Sequence, residues 1–148
     1  FQILKRNWFP ILLSTVLGST FSIIILYILG KVFALPDDIF YATLPKSVTT
    51  AIALDIATKF GWNEALIPMM TVSTGIIGAV IAPLVAKFIK SPVAKGLAIG
   101  TSSHAVGTSK AIEMGEVEGA MSGLALSLAA ISTSFIIPIL LTTIFKII

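Results

Sequence analysis

Three stretches of this chain carry no charged residue and are each long enough to cross a lipid bilayer. Asn7 to Gly30 covers 24 residues, Ala65 to Ala86 covers 22 and Gly119 to Phe145 covers 27. At 1.5 Å per residue the first makes a helix of roughly 36 Å, against a hydrocarbon core of about 30 Å. No soluble fold buries three such helices in a chain this short. Composition agrees: 56% of the 148 residues are hydrophobic, 11% are charged, and the mean hydropathy is +1.03. Too few polar residues are present to cover a water-facing surface, so the chain is read as a multi-pass membrane protein.

The net charge of +3 invites a nucleic-acid reading, but the ten Lys and Arg residues are scattered. Most flank the apolar runs, where they set membrane orientation, and no nucleic-acid partner is expected. Cysteine is absent and there is a single histidine, so no disulfide framework, thiolate site or metal cluster is expected. No P-loop, Rossmann glycine pattern or other cofactor motif occurs, and adjacent Ser103 and His104 cannot face each other as nucleophile and base. An enzyme is not expected. The opening FQILKRNW has no initiator methionine and leads into a span too long for a signal-peptide core. The chain is therefore read as one membrane domain over residues 1–148, the C-terminal part of a longer protein.

Two further segments, about 44–62 and 96–115, are shorter and more polar than the spans. The first, LPKSVTTAIALDIATKFGW, opens on Pro45 and a Ser/Thr cluster and stops at Lys59 and Gly61, a last-turn cation followed by a glycine. The second, GLAIGTSSHAVGTSKAIEMG, also starts with hydroxyls and stops at Gly115. An offset of 54 pairs Ser47 with Thr101, Thr49 with Ser103, Gly61 with Gly115 and Glu64 with Glu118. The spans that follow start in step, at Ala65 and Gly119, and Pro83 meets Pro138 after a one-residue shift. Lys5 and Arg6 precede the first span, while Lys87, Lys90 and Lys95 follow the second. With both clusters on the cytoplasmic side, each polar segment must enter and leave on one side. The result is a pair of re-entrant segments of opposite orientation, the inverted-repeat pattern of many transporters.

Backbone amides and carbonyls cannot face lipid unpaired, since each would cost several kcal/mol. Pro45, Gly96, Gly100 and Gly107 are the expected breaks, with hydroxyls capping the freed amides. A half-helix beginning inside the membrane aims its positive dipole end at the cavity and favours a small anion. Ser47, Thr49, Thr50, Thr101, Ser102 and Ser103 are the candidate ligands, with Lys46 and Lys110 adding positive charge and His104 able to carry a proton. A small carboxylate fits this chemistry better than a sugar or a metal ion. Plainer readings stand beside it. His104 reads equally as a hydrogen-bonded interior histidine, and Asp55 and Lys59, four apart, as an ion pair. Gly96-x-x-x-Gly100 and Gly119-x-x-x-Gly123 fit helix packing. The Thr71, Ser73 and Thr74 hydroxyls read as bonding back to their own helix, and Glu113, Glu116 and Glu118 as a solvated loop.

The motifs PKSVTTAIALDIA, TGIIGAVIAPL (Thr74 to Leu84) and GLAIGTSSHAVGTSKAIEMGEVEGAMSGLAL resemble the LrgB/CidB family of bacterial membrane proteins. The resemblance covers nearly the whole chain, and the last motif is specific. The family's LGPATVALAVPLY-like motif is absent, and Ala51 stands where members often carry proline, which relaxes the break expected there. The resemblance implies an antiholin-like protein that acts with a small holin-like LrgA/CidA partner on murein hydrolase activity and lysis. It also implies movement of small monocarboxylates, as in relatives linked to pyruvate or to plastid glycolate and glycerate. The expectation is an all-α polytopic membrane protein with discontinuous half-helices, in a bacterial plasma membrane and oligomeric. Its expected activity is monocarboxylate transport, and the alternative is a non-transporting regulator working by protein contact.

Overall fold

A computed structural model describes residues 2–144, with side chains described for 7–143. Six α-helices follow in order: α1 (Gln2–Val32), α2 (Asp37–Thr43), α3 (Thr50–Phe60), α4 (Ile67–Ala86), α5 (Pro92–Met114) and α6 (Glu116–Ile139). A 3₁₀ turn at Glu64–Leu66 leads into α4, and a π turn at Leu140–Ile144 closes α6. The helices long and apolar enough to span are Asn7–Val32, Glu64–Ala86 and Glu116–Thr143. They are the three expected runs. Phe145, the expected end of the third, lies outside the described residues, as do the side chains of Lys5 and Arg6.

Local chemistry explains the boundaries. Asn7 is non-helical (φ −125°, ψ 22°), so a new helix starts behind it and Pro10 falls in a first turn, where a missing N–H is harmless. Ser91 caps α5 by accepting from the Ala94 amide, with Pro92 in the first turn. Gly61 ends α3 in the left-handed region (φ 68°), and the Trp62 amide reaches back to the Ala57 carbonyl at 2.9 Å. That is the glycine stop the sequence predicts. Pro45 also breaks as expected, since α2 ends at Thr43 and the next helix waits until Thr50. The short helix α2 ahead of it was not anticipated.

α2 and α3 form a hairpin. Tyr41 stacks on Trp62 (5.3 Å between centroids, 14°), and Asp37, Asp38, Phe60 and Asn63 share one cavity of about 310 Å³. The start of α2 therefore lies beside the end of α3, next to the end of α1, where Phe40 packs on Gly30. The tip carries Lys46 to Thr50, and Val48 is fully buried with Ala42, Ala53, Ala57 and Ile67.

α5 also doubles back. A Cβ on Gly96 would lie 2.4 Å from the Glu118 carbonyl oxygen, while one on Gly119 would lie 2.9 Å from the Ile112 Cα. Positions 96 and 112 thus both flank the junction of 118 and 119, yet a straight helix would hold them about 24 Å apart. Likewise a Cβ on Gly107 would sit 3.2 Å from the Ile99 Cγ2, where a straight helix puts about 12 Å between those levels. The reversal is at His104, whose φ of 40° and ψ of −140° interrupt the helix. Residues 92–103 and 105–114 are therefore two arms of a hairpin that opens beside the end of α4 and the start of α6.

This corrects the expected breaks. Gly96 and Gly100 are not breaks: they lie inside the first arm and press on α6, where a Cβ at 100 would stand 2.1 Å from the Ser122 carbonyl oxygen. They follow the packing alternative. Gly107 lets the two arms touch at Ser103. Gly119 packs on Ile112, but Gly123 has open space around its Cβ position. The expected Asp55–Lys59 ion pair does not form: Lys59 lies over the Phe60 ring at 6.0 Å, and the ion pair among the described residues is Lys110–Glu113.

Candidate functional site

The two hairpins open at opposite ends of α4 and meet along it. Thr71, one turn into the helix, is fully buried. Its hydroxyl lies 2.8 Å from the Thr50 hydroxyl at the start of α3 and also donates back to Ile67 and Pro68 carbonyls. Its carbonyl oxygen lies 2.6 Å from His104 Nε2 at the tip of α5. Thr50 and His104 are partners under the 54-residue offset. Equivalent positions of the two repeats therefore converge on one residue of α4.

Small residues make the approach close. Thr71, Gly75 and Gly78 follow the i, i+4, i+7 spacing of one helix face. A Cβ on Gly75 would come within 2.7 Å of the His104 ring, and one on Gly78 within 2.4 Å of the Ser103 Cβ. Gly75 and Gly78 lie near the middle of α4, and Gly18, near the middle of α1, faces Thr101 at 3.3 Å. The tip of α5 thus reaches mid-span. No residue on this face of α4 is among the ligands expected from the sequence, although the spacing of Thr71, Gly75 and Gly78 is visible there. The Thr71 hydroxyl does bond back to its own helix as expected, and in addition reaches Thr50.

The remaining candidates divide. Ser102 and Ser103 share a hydrogen bond of 3.0 Å and line a cavity of about 170 Å³ between α4 and the first arm, with Gly78 and Lys95. Thr101 and Ser102 also line a groove of about 670 Å³ against α1, with Ser14 and Gly18. Their hydroxyls do not cap freed amides as expected. Thr101 donates to the Leu97 carbonyl (2.7 Å) and Ser102 to that of Ala98 (2.8 Å), within their own helix. Thr108 donates to the His104 carbonyl, lies 2.9 Å from the Ser122 hydroxyl and fastens the second arm to α6. Ser47 and Thr49 sit half-buried at the tip of the first hairpin, and Thr49 precedes α3 without a side-chain cap bond.

Charge falls on one side of the expectation. Lys110 is exposed and paired with Glu113 at 2.5 Å, toward the open end of its hairpin, so it does not join the tips. Lys46 does. It is half-buried in the turn before α3 and has no carboxylate partner among the described residues. His104 is 4% exposed and bonded to Thr71, so it is an interior hydrogen-bonded histidine that also stands where the hairpins meet. No group of His, Asp and Glu that would hold a metal occurs among the described residues. The arrangement offers hydroxyls, an imidazole and one unpaired ammonium at the ends of two discontinuous helices.

The LrgB-like family matches residues 1–143. The chain is 38% identical over 137 residues to the Antiholin-like protein LrgB of Bacillus mycoides (strain KBAB4), and equally to those of Bacillus cereus (strain B4264) and Bacillus anthracis (strain CDC 684 / NRRL 3495). Each alignment takes in 91% of this chain, which spans about 60% of the length of these relatives. No solved structure matches. With hairpins at the motifs that carry the resemblance and a match across almost its whole length, this multi-pass membrane protein belongs to the LrgB-like family.

Proposed function

We propose that the chain belongs to a carrier, not an enzyme, that moves small monocarboxylates such as pyruvate or glycolate across a bacterial plasma membrane. It would act with a holin-like LrgA/CidA-type partner, as part of an oligomer, and so influence murein hydrolase activity and lysis. One observation carries the reading: two helix hairpins of opposite orientation converge on Thr71 through the equivalent residues Thr50 and His104, with Lys46 in the turn that leads to Thr50. Transporters place substrate sites at such paired breaks, where helix ends and freed polar groups face an anion. Ser47, Thr49, Thr50, Ser102 and Ser103 would supply hydroxyls, and Lys46 the counter-charge.

The test is uptake of labelled pyruvate or glycolate into proteoliposomes holding the full-length protein, with and without its partner. A hydrogen bond to a charged group contributes about 1.5–3 kcal/mol, so Lys46→Gln should weaken apparent affinity about ten- to hundredfold. Replacing Thr49, Thr50, Ser102 and Ser103 together with alanine should do at least as much. Unchanged uptake in both variants would remove the site. The relatives' name, antiholin-like, favours the second reading, a regulator acting by protein contact. Absence of any monocarboxylate uptake, with or without partner, would select it.

A further inference from the structure

The geometry points to His104 as the group that carries a proton with each carboxylate, so that the carrier is a proton symporter. This rests on the transport reading above. Three features of the side chain lead to it.

First, the ring is fixed in one tautomer. Nε2 lies 2.6 Å from the Thr71 carbonyl oxygen, which only accepts, so Nε2 must hold a hydrogen. The neutral ring then has its lone pair on Nδ1. No hydrogen bond reaches Nδ1 among the described residues. A proton can be added there without breaking the bond to Thr71.

Second, the position is strained for a histidine. A non-glycine residue at φ 40°, ψ −140° costs about 1–3 kcal/mol, and glycine would take this turn without that cost. The imidazole is held at the reversal of α5, against Gly75, where a Cβ would meet the ring at 2.7 Å. The small face of α4 makes room for this ring.

Third, few other charges stand at that depth. Between Asn7 and Gly30 of α1, Tyr27 is the one ionisable side chain, and it packs on Phe40 toward the end of that helix; along all of α4 and from Gly119 to Ile144 there is none. Within α5, Lys95 lies toward the open end, and Lys110 and Glu113 pair with each other there. From the first hairpin, Lys46 is at the tip, Asp55 and Lys59 are exposed along α3, and Asp37 and Asp38 sit at its open end. His104 and Lys46 are therefore the ionisable groups where the hairpin tips meet. In the proposed cycle, the Nδ1 lone pair takes a proton from water on one side and the ring becomes imidazolium. The carboxylate then binds beside the imidazolium, where the hairpin tips meet. After the site opens to the other side, the anion leaves and Nδ1 returns its proton to water. One proton and one anion cross together, and no net charge moves.

The test uses the full-length protein with its partner in proteoliposomes. An acid-outside gradient should drive accumulation of labelled pyruvate, with one proton entering per anion by an internal pH dye and no change when the membrane potential is clamped. His104→Gln keeps an amide donor for Thr71 but cannot protonate. It should lose accumulation driven by the gradient, and any pyruvate it still moves should enter without a proton. A wild-type protein that transports without regard to the gradient, or a glutamine variant that still follows it, would overturn the inference while leaving the carrier reading intact. ¹⁵N NMR gives a second readout independent of transport, the His104 signal being assigned by its loss in the glutamine variant. The expected state is Nε2–H at high pH, with a proton added at Nδ1 as pH falls. An Nδ1–H tautomer, or a ring that does not titrate, would also overturn it.

Discussion

Gly100→Ala measures how tightly the first arm of α5 is held against α6. The added Cβ would stand 2.1 Å from the Ser122 carbonyl oxygen, 2.8 Å from its carbon and 2.9 Å from its Cα. All three are backbone atoms of α6, so no rotamer change relieves the clash. Restoring ordinary contact needs the helices to part by about 1 Å, which loosens the surrounding contacts as well. Overpacking of this kind costs about 1–3 kcal/mol, offset by about 0.5–1 kcal/mol because alanine suits a helix better than glycine. The net loss is up to about 2.5 kcal/mol, or a fall in Tm of up to about 10 °C for a chain of this size. Gly123→Ala is the matched control. Its Cβ meets nothing within 4 Å, so only the helix gain remains and Tm should hold or rise. Thermal unfolding in detergent, followed by size-exclusion fluorescence, reads both. Equal shifts of the same sign would refute the folded-back α5, because a straight helix would not bring Gly100 to Ser122.

Thr50→Val and Thr71→Val should show a coupling of about 0.5–1.5 kcal/mol in a double-mutant cycle of unfolding; independent effects would mean the hairpin and α4 do not share that bond. Lys110→Ala should change stability by no more than about 0.5 kcal/mol, since its ion pair is exposed, and should leave uptake within twofold of wild type. A large loss of uptake would return Lys110 to the site. In a chain without native cysteine, thiols introduced by Lys90→Cys and Glu116→Cys should react with an impermeant reagent from one side of the membrane. Those from Asp38→Cys and Asn63→Cys should react from the other, and labelling of all four from one face would contradict the opposed hairpins.

Much of this architecture could be read in the residues. The spans, the start of the first at Asn7, the breaks at Pro45 and Gly61, and the stop at Gly115 follow from charge-free length, ring geometry and helix ends. The 54-residue offset even aligns Thr50 with His104, whose convergence on Thr71 is a tertiary fact. What stayed hidden has physical causes. A reversal with positive φ is signalled by glycine, and here a histidine occupies it, so the neighbouring glycines drew the expectation. Gly96 and Gly100 suit either a break or a close helix contact, and only the partner's position decides. Hydroxyls such as Thr101 and Ser102 can cap freed amides or satisfy their own carbonyls, and where the backbone stays helical the local bond wins. Lys46 and Lys110 look alike in sequence. Glu113, one turn beyond Lys110, separates them.

The folded-back α5 also constrains how the protein is assembled. Residues 7–32, 64–86 and 116–143 are apolar enough to partition into lipid by themselves. α5 is not, and an interrupted backbone with a buried imidazole has no stable place among acyl chains. Its hairpin must therefore slide in after α4 and α6 are already standing, using their glycine and serine faces as its wall. Biogenesis then has two stages, with insertion of the three greasy helices preceding entry of the polar wedge. A ribosome-stalled chain lacking α6 would leave the Pro92–Met114 segment at the membrane surface, open to protease, until its wall is synthesised.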